Sequence, residues 1–302
     1  MRQLSILTIA GGVLLAACGD KTPRTASAKE TDPSVTVRVE STTTTTPSIS
    51  GPVSFDVAET AYHEKRYNDA VSLFNAYTES KPQNVWGYFM LGMSAWKAGD
   101  RPAAEAAFRH AIGIDSTHVK SYLNLSRVLI ESGSPDSALD YLDTALRVDS
   151  TSGEAYRLLG RVREARGEIQ PAILAFHQAI VIDPKDVWSM NNLGALLIRQ
   201  GQFEEALKPL ARATDLSPEV ATFENNFGMA LERSGHVIEA VDAYRAAVTA
   251  DSGYSKAVVN LQRVSALQAD PSTPPVDVKA LIVAFEKDVE LWKTATPTEQ
   301  DE

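Results

Sequence analysis

Small and large apolar residues alternate along this chain in a pattern that repeats every 34 positions between Val85 and Tyr254. One row of small residues comprises Gly92, Ser126, Gly160, Gly194 and Gly228. A second row, in the same register, comprises Ala70, Ala104, Ala138, Ala172, Ala206 and Ala240. A fixed period of this length indicates stacked helical hairpins, each of which packs against its neighbours, and not one closed globule.

The large apolar residues keep the same register and define the predicted core. Two antiparallel helices approach closely only where side chains are small, so we expect Gly160 to face Ala172 and Ala179 of the next helix. Larger residues then fill the gaps between hairpins: Leu91, Phe108, Leu125, Leu142, Leu159, Phe176, Leu193, Leu210, Phe227 and Tyr244. Glycines between the two helices of a unit predict a left-handed backbone that ends the first helix. These turn glycines are Gly99, Gly133, Gly167, Gly201 and Gly235.

One unit carries a more specific pattern. Residues 183–188 read DPKDVW, Leu193-Gly194 follow, and residues 201–206 read GQFEEA. This pattern resembles the tetratricopeptide-repeat (TPR) family. The resemblance implies an all-α solenoid of six helix-turn-helix repeats with a capping helix, together covering residues 51–268. The implied units begin near Gly51, Val85, Val119, Gly153, Val187 and Ala221. The first unit has Lys65 in place of the turn glycine, as expected of an atypical terminal repeat.

The end of the chain predicts two further helices. Residues 255–268 repeat only the first-helix pattern, which indicates the capping helix, and residues 269–276 form a proline-rich linker. Residues 277–293 carry an apolar stripe at three-to-four spacing and predict a C-terminal amphipathic helix. The stripe comprises Val278, Leu281, Ile282, Phe285, Val289 and Trp292. We expect this helix to dock near the capping helix as a lid on the solenoid. The concave groove and another subunit are the alternatives.

The start of the chain indicates a compartment. Residues 1–17 contain an apolar run that is too short to span a bilayer. The run ends in small residues before Cys18, the one cysteine of the chain. This resembles a bacterial lipoprotein signal, which implies cleavage before Cys18, lipidation of its sulfur, and a protein that is anchored in the cell envelope and faces the periplasm. Gly19 follows the cysteine, and the resemblance therefore leans toward the outer membrane. The alternative is an ordinary secretory signal with a chance cysteine.

The segment between the anchor and the repeats has a different composition. Residues 18–50 are rich in Thr, Ser and Pro and contain almost nothing apolar to bury, so they predict a disordered linker. We expect residues 294–302 to be a disordered tail.

Charge and residue chemistry exclude several classes of function. The chain has 39 acidic and 29 basic residues, and this balance disfavours nucleic acid as a partner. The five histidines show no spacing that is typical of metal ligands, and the glycines recur as turn glycines and not as a phosphate-binding cluster. We therefore predict no catalytic site, no metal and no cofactor.

The concave groove is the predicted binding site. The resemblance implies that residues 2, 5, 6, 9, 12 and 13 of each unit face it. Amides at these places are Asn124, Asn191, Asn192, Asn225, Asn226 and Asn260, and the cations there include Arg127, Arg157, Arg161 and Lys256. A row of amides can pair with the backbone of an extended peptide, and the cations favour a carboxylate-bearing segment. Asn is also common at this place in the family without such a role, and the carboxylate clamp of chaperone-binding relatives is incomplete here.

Two functions follow as competing hypotheses. The first is a lipid-anchored periplasmic adaptor that binds a protein or peptide segment in its groove. The second is a structural assembly factor of a cell-envelope complex, of the pilus, secretin or cell-wall type, which acts by surface packing or self-association. A homo-oligomer would favour the second.

Overall fold

The repeat pattern folds into helical hairpins throughout the part of the chain that the structure describes. The structure is a computed structural model, and it describes residues 53–294. These residues form fourteen helices and no strand, which confirms the predicted all-α solenoid. The first helices of the six hairpins are α1 (Phe55–His63), α3 (Val85–Ala98), α5 (Val119–Glu131), α7 (Gly153–Ala165), α9 (Val187–Arg199) and α11 (Ala221–Arg233).

Each first helix pairs with a second helix that follows it. The second helices are α2 (Tyr67–Ser80), α4 (Arg101–Ile114), α6 (Pro135–Val148), α8 (Ile169–Ile182), α10 (Phe203–Leu216) and α12 (Val237–Ala250). Two single helices complete the fold, α13 (Ser255–Val264) and α14 (Val278–Thr294). The predicted signal, Cys18, the linker up to residue 50, and all but the first residue of the predicted tail lie outside the described residues.

The helix ends have local causes in the sequence. At the start of α3 the side chain of Asn84 accepts a hydrogen bond from the Gly87 N–H at 2.7 Å, and this satisfies one of the donors that a helix leaves free. All five turn glycines have positive φ values between 75° and 90°, as predicted. Lys65 adopts the same left-handed conformation with φ 61°, so the first hairpin keeps the turn geometry without the glycine.

The glycines of four first helices face a large residue of their own hairpin, a contact that the sequence did not predict. A Cβ at Gly160 would lie only 2.5 Å from Cε1 of Phe176, so the glycine makes room for this ring. Ala172 and Ala179 are fully buried on the second helix of the same hairpin. The same arrangement joins Gly92 to Phe108, Gly194 to Leu210 and Gly228 to Tyr244.

Successive first helices approach one another along the solenoid, whereas the second helices do not. Backbones come close between neighbours in the series α1, α3, α5, α7, α9, α11 and α13, and among the described residues no two second helices make such an approach. The first helices therefore form the inner side of the curve. We call their shared surface the inner face and the surface of the second helices the outer face.

The C-terminal helix does not dock where the sequence suggested. It packs across the outer face against α8 and α10, and not on the end of the solenoid or in the groove. Phe285 is 2% exposed and joins the core there. The helix reaches this position because α13 ends at Val264, earlier than expected, which leaves residues 265–277 as a connection that can extend about 40 Å.

Polar contacts fix α14 on the outer face. Lys208 of α10 pairs with Asp288 at 2.8 Å, and the ring of His177 on α8 stacks on Trp292 with centroids 3.6 Å apart. Arg212 pairs with Glu286 at 3.1 Å. Within residues 53–294, no helix combines the length and the apolar character that crossing a membrane requires.

Candidate peptide-binding face

The amides of the inner face form a ladder between successive first helices. Asn226 on α11 donates to Oδ1 of Asn191 on α9 at 2.8 Å, and Asn260 on α13 donates to Oδ1 of Asn225 on α11 at 3.0 Å. Each step therefore pairs the amide at place 5 of one unit with the amide at place 6 of the next.

Burial divides these amides into two groups. Asn191 is 6% exposed and Asn225 is 2% exposed, so both hold the repeats together and are not presented at the surface. Asn192, Asn226 and Asn260 are half-buried and remain within reach of a ligand. Asn124 stands at place 6 like the second group but is only 9% exposed, so this division holds for the repeats from α9 onward and not for α5.

Two of the predicted cations are already paired across the first helices. Arg127 donates to Asn124 at 2.6 Å and forms an ion pair with Glu154 of the next unit. Arg157 pairs with Asp186 at 2.7 Å, and this carboxylate also caps α9 through the Ser189 N–H at 3.1 Å. These charges are largely satisfied inside the protein, because each carboxylate bridges to the following repeat.

Arg161 differs from its neighbours. It is half-buried on α7 and, among the described residues, has no carboxylate within ion-pair distance. Burial lowers the pKa of its guanidinium below the ordinary value; nearby Glu131 opposes this shift, and the like charges of Arg127 and Arg157 add to it. Arg161 is therefore an under-compensated positive charge within the inner face.

The last predicted cation is fully at the surface. Lys256 on α13 is exposed, at the end of the amide ladder. A hollow of about 340 Å³ lies beside the ladder between α9, α11 and α13. It is lined by Ile198, Phe203, Met229, Glu232, Arg233, Asn260 and Arg263.

Sequence reasoning missed the aromatic residues of the inner face. Trp86 and Trp188 both occupy place 2 of their units and are 46% and 52% exposed. Trp96 at place 12 donates its indole N–H to Glu131 at 2.9 Å. The rule that identified the amides, applied to every residue type at places 2 and 12, would have found all three.

The described residues offer little for catalysis. They contain no group of His, Cys, Asp and Glu side chains that could hold a metal ion. Burial raises the pKa of Glu224 to about 7, but this carboxyl group stands alone, with no hydrogen-bond or ion-pair partner within residues 53–294. An isolated carboxyl group lacks the second catalytic group that acid–base chemistry needs.

Comparisons with known proteins agree with this architecture. Two family models, both described as tetratricopeptide repeat, match residues 95–162 and residues 175–208. No curated protein sequence matches the chain.

Solved structures share the fold at low sequence identity. PilW, described as a widely conserved type IV pilus biogenesis factor, aligns with a TM-score of 0.61 and 19% identity, covering 70% of this chain and 96% of its own. TTC0263, a thermophilic TPR protein of Thermus thermophilus, aligns with a TM-score of 0.53 and 17% identity, covering 61% and 100%. A chain of the APC/C hetero-tetramer Cut9–Hcn1 aligns with a TM-score of 0.61 and 18% identity, covering 69% and 41%.

Proposed function

This chain is a tetratricopeptide-repeat protein, and from that premise we propose that it is a non-catalytic adaptor of the cell envelope, anchored through a lipid on Cys18, that holds an extended protein segment on its inner face. TPR solenoids are protein-interaction scaffolds. We propose the inner face as the ligand site, the periplasm as the location and the lipid on Cys18 as the anchor.

The observation that carries the proposal is the open inner face. Within the described residues, the amphipathic helix α14 could have filled the groove, but it packs against α8 and α10 on the outer face instead. Half-buried Asn192, Asn226 and Asn260 therefore keep their amides within reach of a ligand. An amide offers both a donor and an acceptor, and can pair with the backbone of an extended chain whatever its side chains.

Site-specific photo-crosslinking in cells tests the proposed face. Lys120 on α5 and Lys256 on α13 are exposed inner-face residues, and Ile238 on the second helix α12 is 64% exposed and serves as the matched control. A photoreactive residue at either lysine should give discrete protein adducts, and the same residue at Ile238 should give none. Adducts at Ile238 alone would contradict binding at the inner face.

The anchor is tested separately. The proposal rests on the position of Cys18 directly after the small residues that end the apolar run. Two or three acyl chains hold a protein firmly to a leaflet, because each buried methylene contributes about 0.8 kcal/mol. A Cys18→Ser variant should lose acyl mass and leave the mature membrane fraction. Wild-type protein that is soluble after osmotic shock and carries no acyl group would refute the anchor.

A second function has one observation in its favour. On α14, Val283 is 50% exposed and Leu291 is 65% exposed, and they line an open cavity of about 870 Å³ next to Pro184. Exposed apolar residues around a cavity suit packing against another protein, as an assembly factor would require. A Leu291→Glu variant that dissociates a homo-oligomer or a native complex would favour assembly through the outer face. An unchanged mass would favour capture at the inner face.

A further inference from the structure

The inner face changes character along the solenoid. On α3 it is apolar: we call Trp86, Phe89, Met93 and Trp96 the aromatic patch, at places 2, 5, 9 and 12 of the second repeat. The corresponding places include two cations on each of the next two first helices, beside two glutamates on α7, and one amide on each of α9 and α11: Lys120, Arg127, Arg157, Arg161, Asn191 and Asn225. A ligand that crosses the face therefore meets the apolar surface of α3, then the cations, then the amides.

Neighbouring side chains hold the aromatic patch in place. The ring of Trp86 meets Phe89 edge-on at 5.5 Å between centroids and His118 at 4.9 Å. Nζ of Lys120 lies 5.1 Å from the Trp86 ring, and the Arg127 guanidinium lies 5.3 Å from the Trp96 ring. Fixed rings lose little conformational entropy when a ligand binds, so this patch is suited to seat a bulky apolar side chain.

The cationic part of the face has one charge that no protein carboxylate satisfies. Arg127 and Arg157 are occupied by Glu154 and Asp186, whereas Arg161, one turn after Arg157 on α7, has no such partner among residues 53–294. A partly desolvated guanidinium binds a carboxylate through two parallel hydrogen bonds. Binding of an anion at Arg161 would also relieve repulsion from the two neighbouring guanidinium groups.

The spacing of the two features follows from helix geometry. The helices α3 and α7 are two packing steps apart, and each step between packed helices is about 8–10 Å. Arg161 stands at place 9 and Trp86 at place 2, which adds about 10 Å along the helix axis. The two side chains are therefore roughly 20 Å apart, a distance that about six residues of extended chain can span.

We infer that the inner face selects an extended protein segment in which a bulky apolar side chain, seated on the aromatic patch, is separated by about six residues from a carboxylate bound by Arg161. This inference rests on the proposed function and names the chemistry of its ligand. The amides of α9 and α11 add backbone contacts without selecting side chains.

Selection from a random peptide library on the full-length chain in mild detergent tests the inference. We expect enrichment of sequences that place an aromatic or large aliphatic residue about six positions from Asp, Glu or the C-terminus. Resynthesis with an amidated C-terminus separates a side-chain carboxylate from a terminal one, because only terminal recognition is lost by amidation.

Single substitutions test separately which residue binds the apolar side chain and which binds the carboxylate. Trp86→Ala should lower affinity for a selected peptide about tenfold or more, as is typical when an aromatic anchor is removed, and the apolar preference should disappear in a repeated selection. Trp188→Ala is the matched control, since this tryptophan has the same place and a similar exposure in the fifth repeat. Arg161→Gln should remove the acidic preference and weaken the salt dependence of binding. Lys287→Gln removes an equal charge from the exposed surface of α14, outside the inner face, and should do neither.

The outcomes separate the inference from the proposed function. Selected peptides that lack the two-part motif, or that keep their affinity for both the Trp86→Ala and the Arg161→Gln chain, overturn the inference and leave the inner face as a peptide site. A chain that selects no peptide, although its helical content is intact by circular dichroism, overturns both.

Discussion

In four hairpins a glycine of the first helix contacts a large residue of the second, which lets the two helices pack closely, and Gly160→Ala tests this contact. Alanine normally stabilises a helix interior by about 0.5–1 kcal/mol relative to glycine. Here the new Cβ would lie 2.5 Å from Cε1, 2.7 Å from Cδ1 and 2.8 Å from Cζ of Phe176. The ring is completely buried, so any shift that avoids the new Cβ has to displace other core residues.

The net magnitude follows from these two opposing effects. Inserting a carbon into a filled core costs about 1–3 kcal/mol, which exceeds the helix-propensity gain. We expect the Gly160→Ala chain to lose about 1–2 kcal/mol of stability. For a chain of this size the melting temperature falls by about 2–4 °C for each kcal/mol.

Gly113→Ala provides the matched control. Gly113 lies in α4 and nothing stands within 4 Å of the position its Cβ would occupy. The same chemical change should therefore leave stability unchanged or raise it by up to about 1 kcal/mol. Urea unfolding followed by circular dichroism measures both variants.

A double-mutant cycle with Phe176 isolates the collision. Leucine at this place would not relieve it, because a Cβ at Gly194 would lie 2.4 Å from Cγ of Leu210 in the next hairpin. Phe176→Ala removes the colliding atoms, so in that background Gly160→Ala should no longer be destabilising. The coupling energy of such neighbours is about 0.5–3 kcal/mol. A Gly160→Ala chain that is as stable as the Gly113→Ala chain would refute the assigned contact.

Three further predictions concern other parts of the fold. Phe285→Ala should lose about 3–5 kcal/mol, because the ring fills the core between α8, α10 and α14, while Val283→Ala, at a half-exposed site on the same helix, should change the urea midpoint little. Burial lowers the pKa of His177 to about 4, against a weaker opposing effect of Asp288. The neutral ring therefore favours docking of α14 fully above about pH 6.5, and the contribution, at most about 3 kcal/mol, is lost as the pH falls toward about 4. Protease cleavage of the 265–277 connection should accelerate over that range, and His177→Phe should remove the pH dependence. Finally, Lys65→Gly should raise the melting temperature, since glycine adopts the positive φ of this turn without strain.

The sequence was sufficient for the repeats because their pattern is local and recurs. The helix-ending role of Gly99 and its counterparts depends on nothing but the backbone of one hairpin, and it was predicted correctly. The ring that packs on Gly160 was missed, because spacing identifies which residues share a face but not which one reaches across the hairpin. Phe176 was expected to fill the gap between neighbouring hairpins, and its ring also contacts the glycine of its own hairpin.

The position of α14 depends on residues that are far from it in the sequence, so the repeat pattern could not predict it. An apolar stripe around Phe285 shows that the helix needs a partner, but every second helix of the solenoid offers some apolar surface. The choice of α8 and α10 depends on three contacts with α14. Lys208 pairs with Asp288, Arg212 pairs with Glu286, and the ring of His177 stacks on Trp292. Each of these residues is of a type that is common on the exposed surface of a repeat, so none of them reveals the docking position in the sequence.

The candidate site was predicted in part. The sequence identified the amides, but their division into buried Asn191 and Asn225 and accessible Asn226 and Asn260 depends on hydrogen bonds between repeats. It likewise placed three arginines on one face without indicating that Arg161 alone among them has no carboxylate partner in the described residues. Ion pairing across repeats is a property of side-chain conformation, which residue spacing does not determine.

Hydrogen exchange of the full-length chain with and without its captured partner tests the central claim most directly. Amide exchange reports protection helix by helix, so it distinguishes the inner face from the outer face in one measurement. We expect added protection in α3, α5, α7, α9, α11 and α13, with α8, α10 and α14 unchanged. Protection confined to α8, α10 and α14 would contradict binding at the inner face and would place the partner on the outer surface.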